Sequence, residues 1–183
     1  MHNMLVTVAS IILGGLTTYF AISYAGDVFT EGSDSANATT LQTQMSQIAS
    51  AMDLYATNNN GNKITNSAFS ELTSGDYLED VPDGPDINSN NASAGYYTGE
   101  QADLSAGTEF DVIFFPMGTH ADAAGICAKL RSNAGLASTI PQHDGTNDVS
   151  SALDGKYGCF QEDGTTAVVT NSATSGYVGY MTN

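Results

Sequence analysis

Cys127, Cys159, His120 and His143 are the residues whose types could do chemistry, because a thiolate beside an imidazole is a nucleophile and the four together could hold zinc. Their spacing argues against both. No C-x-x-C or H-x-x-x-H pair occurs, and two cysteines alone, in a chain whose uncharged N-terminus and acidic remainder fit export, favour one disulfide over a metal site. Asp83, Asp86, Asn88 and Asn90 offer oxygen ligands that suit calcium. The glycine and closing glutamate of an EF-hand loop are missing from their places, so this stretch reads as a solvated loop. There is no G-x-S-x-G, no glycine-rich phosphate loop and no carboxylate pair that spacing singles out. The sequence therefore predicts no catalytic residue, no metal and no cofactor.

The charge balance narrows the partners. In 183 residues there are 20 Asp and Glu against 4 Lys and Arg, a net charge of -16. The basic residues Lys63, Lys129, Arg131 and Lys156 form no cluster, which argues against nucleic acid or anionic lipid as a ligand. Against this acidity stands an uncharged run, Met4 to Gly26. A helix rises about 1.5 Å per residue and a bilayer core is about 30 Å thick, so Met4 to Ala25 is long enough to cross it. Ser23-Tyr24-Ala25 is a passable signal-cleavage site, but the basic n-region of a secretory signal is missing. The expectation is instead a mature N-terminus at Met1 from which a short basic leader has been removed. The first charges after the run, Asp27, Glu31 and Asp34, are acidic and fit export of the C-terminal side. Two parts result: residues 1–26 as a hydrophobic N-terminal helix and 27–183 as one globular head.

Within the head, Leu41, Met45, Ile48, Met52 and Tyr55 recur at spacings of four, three, four and three, which predicts an amphipathic helix over about 35–57. "TNNNGN", Thr57 to Asn62, ends it, and "GDVFTEGSDS", Gly26 to Ser35, is a candidate kink or break. A short helix at Ser67 to Thr73 precedes a loop rich in Pro, Gly, Asp and Asn, Ser74 to Asn91. "EFDVIFFP" reads as a buried strand that Pro116 ends, and Thr119 to Gly135 as a helix opened by a weak capping box. "KYGCFQ", "TTAVVT" and "GYVGYM" read as three C-terminal strands. The fold class is α+β: a long N-terminal helix, apolar in its first half and amphipathic in its second, packed on a C-terminal antiparallel sheet. No internal repeat is visible.

The uncharged N-terminus running into "LQTQMSQIASAMDLY", the "GDYLEDVPDGP" loop and the late Cys127 and Cys159 pair together resemble a type IV pilin, closest to the larger type IVb group. The resemblance implies cleavage by a prepilin peptidase, methylation of the new N-terminus, residence in the inner membrane before assembly, and export through pilus assembly machinery. It implies polymerisation of identical subunits into a helical homopolymer, a cell-surface pilus or fimbrium, with roles in the family that include cell adhesion, twitching, DNA uptake, conjugation and secretion. The filament-core helix would comprise Leu5, Val8, Ile11, Ile12, Leu13, Gly14, Gly15, Leu16, Tyr19 and Phe20. Two positions depart from the family pattern: Leu5 stands where a glutamate is usual, and Ile22 neighbours the place of a common helix-kinking proline. Archaeal-type pilins often lack that glutamate, but their heads are usually all-β. With no proline, Gly14-Gly15 is the place where a filament would unwind the helix, over a segment ending before about Tyr24. The alternative function is a membrane-anchored or secreted extracellular binding domain.

Overall fold

The computed structural model describes residues 2–65, 69–85, 95–99, 111–119, 121–137, 139–143, 152–162 and 176–183; before Val28 it describes side chains only at Ile12 and from Leu16 to Ala21. The chain is α+β, and it divides into two compact units, Met1–Ser33 and Asp34–Asn183. Helix α1 covers His2–Asn58. Its helical backbone runs on through Gly14-Gly15 and through residues 26–35, so the break expected at "GDVFTEGSDS" does not occur. Among the described residues no helix is long and apolar enough to cross a membrane. Most side chains of the uncharged run, including Leu5, Val8, Ile11 and Leu13, lie outside the described ones.

α1 stops where left-handed backbone becomes available. Asn59 and Gly61 donate their N–H groups to the carbonyls of Tyr55 and Ala56, and Asn60 and Gly61 take positive φ of 60° and 88°. Helix α2 covers Ser70–Ser74 and opens on Phe69 in the left-handed region, and residues 67 and 68 of its expected span lie outside the described residues. Strands β1, Tyr97–Gly99, and β2, Val112–Gly118, are followed by helix α3, Ala123–Asn133, and by β3, Gln142–His143, β4, Tyr157–Glu162, and β5, Gly176–Thr182. α3 begins at Ala123 rather than at Thr119, with Asp122 before its first turn. It ends in a Schellman-type cap: Leu136 N–H reaches Arg131 O, Gly135 N–H reaches Ser132 O, and Gly135 takes φ 71°. "TTAVVT" and residues 86–91 of the long loop lie outside the described residues.

The five strands form one sheet in the order β1-β2-β5-β4-β3. It is mixed, not wholly antiparallel, because β3 joins β4 in parallel, Gln142 beside Gln161 and His143 beside Glu162. A parallel neighbour needs a connection of about a dozen residues or more, and residues 144–156 separate the two strands in sequence. Pro116 does not end β2. It pairs with Val178, and the register shifts between Pro116 and Gly118. A bulge is one of the few places where a strand tolerates a residue with no N–H.

Successive side chains of a strand face opposite ways, and here both faces are covered. Ile113, Phe115, Met117, Cys159 and Met181 join Leu41, Met45, Ile48 and Met52 of α1, Phe69, Leu72 and the buried face of α3 in the main core. Val112, Phe114, Phe160, Val178 and Tyr180 form a second core with Ala152. Two covered faces explain why "VIFF" is apolar at every position rather than at alternate ones. Gly179 lets the helices approach the sheet: a Cβ there would stand 3.3 Å from Met45 Cε and 3.4 Å from Leu130 Cδ1. Gly176 opens β5 at φ 149°, and a Cβ added there would lie 2.4–2.6 Å from the main chain of Gly118. Gly176→Ala would force a side chain onto a main chain that cannot swing away, and it is expected to cost about 2–3 kcal/mol in urea unfolding; an unchanged midpoint would contradict this packing.

Candidate functional site

Two exposed helix faces and one braced sheet carry what function the geometry suggests. In the first unit, Ile12, Leu16, Tyr19 and Phe20 recur at helical spacing and face solvent, Tyr19 at 67% and Phe20 at 65% exposure. The two rings meet edge to face at 5.9 Å, so the aromatic pair stands as one ridge. Val28 and Phe29 are exposed as well. Of the other positions expected in this helix, Gly14 and Gly15 are helical, and Met1 lies outside the described residues.

In the second unit, Leu41, Met45, Ile48 and Met52 are buried and Tyr55 is half-buried against the same core. The adjoining face of α1 is open. Thr43, Ser46, Gln47, Ser50 and Leu54 are exposed there and, with the buried Ala51 and with Tyr77 from the loop after α2, line a groove of about 480 Å³. Tyr77 is held over the helix by an edge-to-face contact with Tyr55 at 5.4 Å and by its N–H on Leu72 O. The hydroxyls of Thr39, Thr40, Thr43, Ser46, Ser50 and Thr57 each donate to the carbonyl four residues back. This spends their hydrogens inside the helix and leaves methyl and methylene groups outward. Between Asp34 and Asp53 the helix carries no charged residue.

Cys127 of α3 and Cys159 of β4 form a disulfide, which ties the late helix to the sheet and removes both sulfurs from any nucleophile or metal site. His143 is buried against Phe160, ring centres 5.8 Å apart, and His120 lies outside the described residues. Asp83 is described, whereas Asp86, Asn88 and Asn90 lie outside. Among the described residues no group of three His, Cys, Asp or Glu is placed to hold a metal ion.

A polar brace sits beside the disulfide that spacing alone did not single out. Arg131 is 1% exposed and holds both Asp154 carboxylate oxygens, Nη1 on Oδ1 at 3.0 Å and Nη2 on Oδ2 at 2.7 Å. It also donates to the carbonyls of Ala137 and Cys159. Tyr180 donates its hydroxyl to Asp154 Oδ1 and accepts the Asp154 N–H. A usable signal was present, since Ala123, Ile126, Cys127 and Leu130 mark the buried face of α3 and Arg131 falls on it. Tyr96 adds a second tie, donating to Gln44 Oε1 at 2.6 Å and joining β1 to α1. Burial pushes the Tyr96 phenol up; burial, then the bond to Asp154, does the same for Tyr180.

The Arg131 hydrogen bond holds the Asp154 carboxyl below its ordinary value, with the Tyr180 bond and the guanidinium charge adding to it and burial opposing. A depressed folded pKa stabilises the fold above the unfolded carboxylate value of about 3.9, and that contribution is lost as pH falls through the folded value. Urea midpoints of the parent should therefore decline below about pH 4 more steeply than those of Asp154→Asn. Parallel curves would show that Asp154 titrates alike folded and unfolded.

Comparison with protein-family models, curated proteins and solved structures returns no match for this chain.

Proposed function

We propose that this chain is a structural subunit of an extracellular type IV pilus-like filament, polymerising with identical copies through its N-terminal helix. The observation that carries the reading is the exposed ridge of Ile12, Leu16, Tyr19 and Phe20 within an uncharged run, on a chain of net charge -16. Apolar surface of this kind needs cover. A bilayer supplies it before assembly, and copies of the same helix supply it afterwards. In this reading α1 is apolar in its first half and amphipathic in its second, and its second half fastens the head, which the disulfide and the Arg131–Asp154 brace stiffen. Prepilin peptidase acts at the N-terminus, the pilus assembly machinery and the inner membrane are the other partners, and the role is structural rather than catalytic.

Electron microscopy of material sheared from cells that make the chain tests this reading. Thin filaments whose principal component by mass spectrometry is this chain are expected. A chain found only in the membrane fraction or as a free secreted domain, with no filament, would favour the anchored or secreted binding domain instead.

A further inference from the structure

We propose that Asn60-Gly61, just past the end of α1, is a conformation-gated modification site at which opening of the helix cap converts Asn60 irreversibly to aspartate or isoaspartate. The proposal concerns the head alone and holds whether or not the chain polymerises.

Asn60-Gly61 is the single Asn-Gly pair in the sequence. The step needs water as its co-reactant. The Gly61 amide nitrogen gives its proton to hydroxide and attacks Asn60 Cγ, so that a new C–N bond closes a succinimide ring. The side-chain amide then leaves as ammonia, taking a proton from water and restoring the hydroxide. A second water adds to one of the two ring carbonyls and breaks one ring C–N bond. Aspartate results from one opening, and isoaspartate, with its main chain routed through Cγ, from the other. Glycine suits this attack because it has no side chain to crowd the nitrogen.

In the folded chain the nucleophile is withheld. Gly61 donates its N–H to Ala56 O at 2.8 Å, and that bond must break before the nitrogen can lose its proton. The same turn is held by Asn59, whose main-chain and side-chain amides both donate to Tyr55 O, and by Asn62 N–H on Asn59 O. Otherwise the site is open. Asn60 and Gly61 are exposed, and a Cβ placed on Gly61 would meet no atom within 4 Å. The cap bond is therefore the gate, and the end of a helix opens more readily than its centre. The described aspartates that precede glycine are differently placed: Gly84 packs against the Phe115 ring, and Asp154 is held by Arg131.

Reclosure after conversion is opposed twice. Isoaspartate adds a main-chain carbon between α1 and Ile64, which is buried in the main core, so Gly61 N–H no longer meets Ala56 O in register. Either product also places a carboxylate at the carbonyl end of a helix that has no basic residue in its last turn, where negative charge is unfavourable. Lys63, the nearest cation in sequence, lies 4.0 Å from Asp111. The consequence is a one-way mark on chains in which the end of α1 has opened.

The test incubates the full chain in detergent and mildly alkaline buffer, folded and in unfolding urea, and follows amide loss at Asn58, Asn59, Asn60 and Asn62 by peptide mass spectrometry. In urea, Asn60 should convert at least about tenfold faster than the other three, and in the folded chain at least about tenfold slower than in urea. Hydrogen exchange at the Gly61 amide measures cap opening independently, and its folded-to-unfolded ratio should match that of Asn60 conversion within about threefold. Equal conversion of Asn60 folded and unfolded would show that the cap is no gate, and an Asn60 no faster than its neighbours in urea would remove the site; either result overturns the proposal. Chains carrying isoaspartate at 60 are then purified and refolded. Their Gly61 amide should exchange at least about tenfold faster than the parent's, and that of Asn60→Asp, which adds the charge without the extra main-chain atom, by a smaller factor. An isoaspartyl chain that protects Gly61 as the parent does would overturn the irreversibility.

Discussion

Deleting residues 1–33 is expected to turn an assembling chain into a soluble monomer, a larger functional change than any point substitution should cause. Among the described residues the deletion removes none of the core, because the main core begins at Ala38 and the second core at Val112. It does remove the exposed Ile12, Leu16, Tyr19, Phe20, Val28 and Phe29. At about 25 cal/mol per Å² of apolar surface, burying even part of such a ridge against neighbours stabilises a contact by several kcal/mol, before ordering costs are subtracted. Sedimentation velocity in neutral buffer without detergent distinguishes the outcomes. The full chain should sediment as polymer or require detergent, and the truncated chain should sediment as a single 34–183 monomer. A truncated chain that still forms filaments would move the principal assembly surface into the head and end the proposal that the N-terminal helix drives polymerisation.

Replacing both Cys127 and Cys159 by serine is expected to produce the largest loss of stability. The bond joins residues 32 apart in sequence. In the chain-entropy model a closed loop of this size contributes about 3.7 kcal/mol, by restricting the unfolded chain. For a domain of about 150 residues this is about 10 °C in melting temperature. Both sulfurs are fully buried, so the variant also places two hydroxyls in an apolar core. Intact-mass measurement of the parent, alkylated with and without reductant, verifies the starting state. Two thiols open to alkylation in the unreduced parent, or a double-serine variant that melts with the parent, would contradict the contribution assigned to the bond. Because Arg131 donates to the Cys159 carbonyl and Tyr157 donates its hydroxyl to the Asn133 carbonyl, the reduced chain keeps polar ties between α3 and β4, and local loosening rather than global unfolding is expected at moderate temperature.

What could be read from residues alone depended on local period and composition. The 3.6-residue recurrence from Leu41 to Met52 lies in neighbouring turns of one helix, and those four side chains are buried. "TNNNGN" carries the left-handed conformers that stop α1, and "GYVGYM" carries the β-branched and aromatic residues of β5. Errors arose where local signals competed with distant ones. Pro116 reads as a strand end, yet pairing with β5 carries the strand past it by way of a bulge. Gly26, Gly32 and the serines of residues 26–35 read as helix breakers, yet each carries only a modest propensity penalty of about 1 kcal/mol or less, and the helix continues through them.

The acidity, the uncharged N-terminal run, the α+β class and the cysteine pair available for a disulfide are legible in the residues, because each is a property of composition or of residues within a few positions of one another. Tertiary structure alone decided the parallel β3, the second buried face of the sheet, the Arg131–Asp154–Tyr180 brace and the groove under Tyr77. Arg131 meets Asp154 across 23 residues, and Asp154 meets Tyr180 across 26. Tyr77 reaches Tyr55 only after the chain has turned back through α2. Contacts at such separations are chosen by which apolar faces the whole chain can bury together, a condition that no local periodicity encodes.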